Sequence, residues 1–170
     1  MAFIITGGVA GSQPIADTST VQNHPTGKIV TAKDPTLGEG EFIYLKGVAS
    51  TVVGNVVTYV ASTGATVLSL TSGVVNGGAP LAVAMSANVA SQWGWYQIGG
   101  DATIKKTAVK VDPAGTTKVY LSATSGRVMQ TSVAGRAVIG ARWITATTVT
   151  STTSTAIATI NRPVQQGPIT

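Results

Sequence analysis

The chain is 170 residues long, 44% hydrophobic and only 10% charged, with a formal net charge of +5. It holds one histidine, no cysteine and six carboxylates, which excludes disulfides and thiolate metal sites and leaves little for acid–base or nucleophilic chemistry. A typical globular domain is about 25% charged, so a surface this poor in charge is expected to be covered by another copy or by a partner.

Residues 1–36 read as an extended N-terminal arm. Gly7, Gly8, Gly11, Pro14, Pro25, Gly27 and Pro35 interrupt any periodicity, while Phe3, Ile4, Ile5 and Ile15 favour docking against a surface over free disorder. Strand signals fill residues 37–160, the expected core domain. Glu41–Val48 is aromatic and β-branched. Ser50–Val60 places Gly54-Asn55 between two valine-rich runs, the pattern of a tight hairpin. Thr66–Leu70 is a short strand ending at Thr71-Ser72-Gly73, and Asn76-Gly77-Gly78 marks a loop. Pro80–Met85 reads as a buried strand, and Ser86–Gln92 as a single helical turn capped by Ser86.

Trp93–Ile98 returns to strand and is expected to stop at Gly99-Gly100-Asp101. Ala102–Val111 alternates. Asp112-Pro113-Ala114-Gly115 is a turn, with proline set for its second position. Lys118–Ala123 and Arg127–Thr131 flank Thr124-Ser125-Gly126 as a second hairpin. Ala137–Val149 and Ala156–Ile160 are the last strands, and residues 161–170 form a tail like the N-terminal arm. No twelve-residue segment holds a helical hydrophobic period. Many short strands with glycine-rich turns argue for a sandwich or a partly open barrel.

Candidate chemistry is sparse. His24 precedes Pro25 in the arm and reads as an exposed polar residue, since a catalytic base needs a rigid, oriented setting. Glu39 and Glu41 share a face if strand geometry has begun there, but read as solvating groups. Asp101 and Asp112 sit at turns. Gly7-Gly8-Val9-Ala10-Gly11 lacks the lysine and the preceding strand of a phosphate loop. The chain is expected to be no enzyme and to hold no metal or other cofactor. Its 11 basic residues are scattered, with only Lys105 and Lys106 adjoining, so specific nucleic-acid binding is not expected. An acidic protein surface is the better partner for the positive balance. The N-terminus lacks a basic region and a long apolar run, and no apolar stretch approaches the roughly 20 residues of a bilayer span, so no membrane partner is expected.

The most distinctive block is Trp93-Gly94-Trp95-Tyr96. In a strand, Trp93 and Trp95 share one face and Tyr96 takes the other. Core packing, an interface anchor and a stacking platform for sugar or bases are the three roles open to it.

The run Gly38-Glu39-Gly40-Glu41-Phe42-Ile43-Tyr44-Leu45-Lys46-Gly47-Val48, followed by Pro80–Gln97 with its Trp93-Gly94-Trp95-Tyr96-Gln97 block, resembles the capsid decoration, or cement, proteins of tailed bacteriophages. The resemblance spans about residues 36–162. It implies a non-enzymatic virion protein on the outer surface of the capsid, assembled in the host cytoplasm. Such a protein binds the major capsid protein, commonly as a homotrimer, and stabilises the head. The expected fold is all-β: a small β-sandwich or a partly open, β-tulip-like barrel with extended N- and C-terminal arms. Phe3, Ile4, Ile5, Ile15, Trp93, Trp95 and Tyr96 are the candidate interface residues. Residues 1–30 are then expected to be removable without unfolding the core. A tail-tube or head-fibre subunit, and a carbohydrate-binding module using Trp93, Trp95 and Tyr96, are the alternatives.

Overall fold

The computed structural model describes residues 4–6, 12–69 and 77–167. Among these residues the chain is all-β and contains no helix. Twelve strands run in order β1 (Ile4–Ile5), β2 (Thr18–Ser19), β3 (Ile29–Asp34), β4 (Gly38–Lys46), β5 (Val56–Tyr59) and β6 (Thr66–Leu68). They continue with β7 (Leu81–Ala84), β8 (Trp93–Lys105), β9 (Lys118–Leu121), β10 (Val128–Met129), β11 (Ala137–Trp143) and β12 (Thr155–Gln165). All belong to one sheet ordered β1-β3-β4-β8-β12-β11-β9-β10, with β7, β5 and β6 branching from β8 in that order and β2 also pairing with it. The sheet curls into a half-barrel, a partly open barrel as the strand pattern predicts.

β8 organises the fold. It pairs with β4 along Trp93–Gly99 and with β12 along Gly99–Lys105. Sequence reading ends this strand at Gly99-Gly100, but the backbone passes through them. Gly100 adopts φ +90°, and its missing side chain lets the Glu39 carbonyl pack against it. A β-carbon there would meet both obstacles. The accompanying register shift at Glu41/Phe42 bends the sheet without ending the strand.

Both faces of the centre are covered, which explains why Phe42–Leu45 is uninterruptedly buried. Phe42, Tyr44 and Trp95 pack on one face with Ile15, Val30 and Ala32. Ile43, Leu45, Tyr96 and Ile98 pack on the other with Val57, Ala82 and Ala84. Beyond Gly100, Ala102 and Ile104 join a third cluster with Val119, Leu121, Val138, Trp143 and Ile160.

The structure corrects several boundaries. Within the expected arm, β3 pairs with β4 over its whole length and Gln13, Ile15 and Val30 are buried, while residues 16–18 and 20–23 are exposed, so the segment is anchored to the sheet at those points. The C-terminal tail likewise begins inside β12, which runs on to Gln165, and Gln166 N–H donates to the Ala137 carbonyl. The Gly54-Asn55 hairpin is a turn instead. Val52 and Val53 precede β5 without pairing, and the buried Asn55 side chain accepts from Val52 N–H and donates to the Gly126 carbonyl. The local side-chain hydrogen bond replaces a ladder. Ser86–Gln92 forms bends and turns rather than a helical turn, with Asn88 buried beneath it. Two expectations hold closely. Gly115 N–H closes the Asp112–Gly115 turn on the Asp112 carbonyl at 2.9 Å, and β9 and β10 pair as a hairpin. Thr71-Ser72-Gly73 and Gly7–Gly11 lie outside the described residues.

Candidate functional site

The aromatic block is mostly core. Trp95 and Tyr96 are fully buried on opposite faces of β8, as strand alternation requires. Trp93 is half-buried and stacks on Tyr44 at 6.0 Å and 12°. Burial pushes the Tyr96 phenol up to about 12, and its hydroxyl lies 3.1 Å from the Asn88 amide. A sugar platform needs exposed ring faces, which Trp95 and Tyr96 do not have. Of the other candidate interface residues, Ile15 is core, Ile4 is 66% exposed, and Ile5 extends β1 through its backbone pairing with Ala32. Phe3 lies outside the described residues.

A buried polar node that sequence reading missed fixes the N-terminal segment. Gln13 Oε1 accepts from the Tyr44 hydroxyl at 3.1 Å and from Asn23 Nδ2 at 3.0 Å. Gln13 Nε2 donates to the Asp17 carbonyl at 2.8 Å, and the Gln13 carbonyl accepts from the Trp95 indole N–H at 2.9 Å. Gln13 N–H donates to His24 Nε2 at 3.2 Å, which requires that nitrogen to be unprotonated. His24 is therefore not a free polar residue. Its ring lies 5.1 Å from Tyr44 and 5.3 Å from Trp95. Burial, and secondarily Lys28, hold its pKa below the usual imidazole value. Only the glutamine's position just before the turn at Ile15-Ala16 makes this node, and no motif announces it.

The carboxylates are engaged or solvated. Glu41 pairs with Arg162 at 3.1 Å, while Glu39 on the same strand is exposed. Asp101 accepts from the Thr159 hydroxyl at 2.6 Å. Asp112 accepts from Lys110 at 3.1 Å and caps its own turn through Ala114 N–H, and both contacts hold its carboxyl low. No group of three or more metal-ligating side chains occurs among the described residues.

Surface character divides the chain instead. From Gly47 through Gly100 there is no Lys, Arg, Asp, Glu or His. That tract carries Val52, Val53, Val60, Val67 and Val89, all among the exposed large aliphatic residues. Val60 and Val67 stand at an open groove of about 540 Å³ beside Ala79 and Pro80. Val52, Val53 and Val89 lie on the loops that Gly47 joins, where Gly47 packs on the Asn88 and Val89 carbonyls. Past Gly100 the balance reverses. Lys105, Lys106, Lys110, Lys118, Arg127, Arg136, Arg142 and Arg162 oppose only Asp101 and Asp112, a net of 8 − 2 = +6. One of these cations is internal: Lys106 is 1% exposed, and its ammonium donates to the Val109 and Thr150 carbonyls, each at 2.8 Å. Loss of hydration on burial lowers its pKa. No family model matches the chain, and neither the curated proteins nor the solved structures contain a match to it.

Proposed function

We propose that this chain is a non-enzymatic structural protein of a tailed-phage virion that binds the outer surface of the assembled capsid through the major capsid protein and stabilises the head. The observation that carries this reading is the tract of residues 47–100, which holds no Lys, Arg, Asp, Glu or His and exposes Val52, Val53, Val60, Val67 and Val89. Exposed valines with no ionisable neighbour in the tract are costly to leave in water and favour a covered position. The doubly covered sheet supports the same reading, because a rigid body presents that surface without an ordering cost on binding. Association as a homotrimer would multiply individually weak contacts on a repeating lattice.

The test is occupancy of expanded heads that lack this chain by the purified chain, read by sedimentation and gel densitometry, with its solution mass measured by light scattering. Saturation at a fixed stoichiometry is expected, and Val60→Asp with Val67→Asp should weaken it strongly while leaving the melting temperature nearly unchanged. Open-ended polymers with no affinity for heads would overturn the reading in favour of a tail-tube subunit. Burial of Trp95 and Tyr96 argues against the carbohydrate-binding alternative.

A further inference from the structure

The basic half of the chain contains an arrangement that the fold does not need. β9 and β11 pair so that Lys118 and Arg142 are direct cross-strand partners. Both are exposed, and neither forms an ion pair among the described residues. Their strand neighbours Val119 and Trp143 turn into the core, so the two cations share the outer face of the sheet. Like charges directly opposite one another destabilise a sheet. The nearest carboxylate along the same row is Asp101, reached through Thr159, and it is occupied by the Thr159 hydroxyl.

Beside this pair lies an open groove of about 360 Å³ on the same face. Tyr120 forms its floor and is 7% exposed, with its hydroxyl accepting from Ser132 at 3.1 Å. Val133 and the 52%-exposed Ile139 give it apolar walls, Gln166 adds an amide, and Lys118 stands in its lining. A cationic pair beside an apolar trough with hydroxyl and amide groups suits a peptide bearing a carboxylate next to an aliphatic side chain. It suits a polyphosphate backbone poorly, because nucleic-acid grooves offer exposed aromatic rings for stacking and more cations along their length.

We infer that the groove on the outer face of β9 and β11 is a docking site for an acidic extended segment of a partner protein, with Lys118 and Arg142 clamping its carboxylates. In identifying that partner as capsid protein the inference rests on the function proposed above. The clamp itself rests on the groove's charge and shape alone.

The probe is fluorescein-labelled hexaglutamate, titrated with the full chain at low salt and read by fluorescence anisotropy. Lys118→Gln with Arg142→Gln should weaken binding about tenfold or more, since each cation contributes a charge-assisted hydrogen bond. The control Lys33→Gln with Lys46→Gln removes the same charge from exposed positions on β3 and β4 and should change binding by less than about twofold. Backbone amide shifts of Tyr120, Val133 and Ile139 should move on titration. Equal losses in the two double variants, or shifts elsewhere, would overturn the inference. So would a single-stranded oligothymidylate that displaces hexaglutamate and is itself lost with Lys118 and Arg142, which would make the site one for nucleic acid. Heads filled by a wild-type chain that shows no groove-dependent hexaglutamate binding would overturn the groove alone. Groove binding without head occupancy would overturn the proposed function and leave the groove standing.

Discussion

Gln13→Ala tests whether the N-terminal segment is core or arm. The substitution removes four side-chain hydrogen bonds, to Tyr44, Asn23, Asp17 and the Trp93 carbonyl, at 3.1, 3.0, 2.8 and 3.4 Å. Asn23 is exposed and recovers its bond from water, whereas Tyr44 is fully buried and does not. A net bond contributes about 1 kcal/mol, and a buried hydroxyl whose proton loses its acceptor costs about 1–3 kcal/mol even though it still accepts from Asn23 N–H, so the expected loss is about 3 kcal/mol. For a chain of this size each kcal/mol lowers the melting temperature by about 2–4 °C, giving a fall of about 6–12 °C by calorimetry. The cycle with Tyr44→Phe isolates the mechanism. Once the hydroxyl is gone, Gln13→Ala strands nothing, and the double variant should be more stable than additivity predicts by about 1 kcal/mol or more. An unchanged melting temperature for Gln13→Ala, or strict additivity in the cycle, would refute the claim that this node pins residues 12–36 to the sheet.

Three further outcomes follow from the same contacts. His24 accepts a hydrogen bond only when neutral, and its folded pKa is lowered. Below the unfolded value of about 6.5 the unfolded chain therefore binds more protons, and stability is lost as pH falls from there through the folded pKa. The wild-type melting temperature should drop between neutral and mildly acidic pH relative to His24→Gln, which keeps an acceptor and does not titrate; parallel profiles would contradict this. Gly47→Ala would drive a methyl group into the Asn88 and Val89 carbonyls; a destabilisation of about 3 kcal/mol in urea is expected, and a neutral result would mean that the 86–92 loop yields. Deleting residues 1–30 removes Gln13, Ile15 and Val30, of which Ile15 and Val30 are buried to 2% and 3% exposure. Two buried aliphatics at about 1.5–3 kcal/mol each, added to the node, approach the whole stability of a domain, about 5–15 kcal/mol. The deletion should leave an unfolded chain by circular dichroism, not a folded core that binds heads weakly.

The parts legible in the sequence were those in which a residue's own chemistry decides its structure. The turn at Asp112–Gly115 needs only an acceptor, a proline and a glycine in order, and it forms as read. Phe42–Leu45 and Leu81–Ala84 are apolar on both faces and become buried strands. The misread parts depend on partners distant in sequence. The glycines at 99 and 100 look like a stop because their role, Gly100 admitting the Glu39 backbone and Gly99 the Glu41 side chain, is set some sixty residues away. β3 was hidden among prolines and glycines because its order comes from pairing with β4 rather than from its own periodicity. Among the candidate interface residues, alternation along β8 correctly separated Trp95 from Tyr96, yet both became core because strands cover each face. The charge-free tract from Gly47 to Gly100 can be read from the sequence alone, but which of its valines are exposed emerges only from the folded sheet.

The distribution of charge bears on how a partner would be engaged. Residues 1–46 carry three cations against four carboxylates, residues 47–100 carry no ionisable charge, and the remainder carries +6, together the +5 of the chain. An uncharged surface gains from desolvation and is nearly insensitive to salt, whereas a cationic groove gains from charge pairing and is screened at high ionic strength. If both contribute to one attachment, salt should remove only part of the affinity. Val60→Asp with Val67→Asp should then leave a weak, salt-sensitive remainder, and Lys118→Gln with Arg142→Gln a salt-resistant one. Because Gln13, Ile15 and β3 are already packed against the sheet, neither contact needs the N-terminal segment to fold on binding, and the heat-capacity change should reflect surface burial alone. A much larger negative change would indicate coupled folding and would return the N-terminal segment to the role of a docking arm.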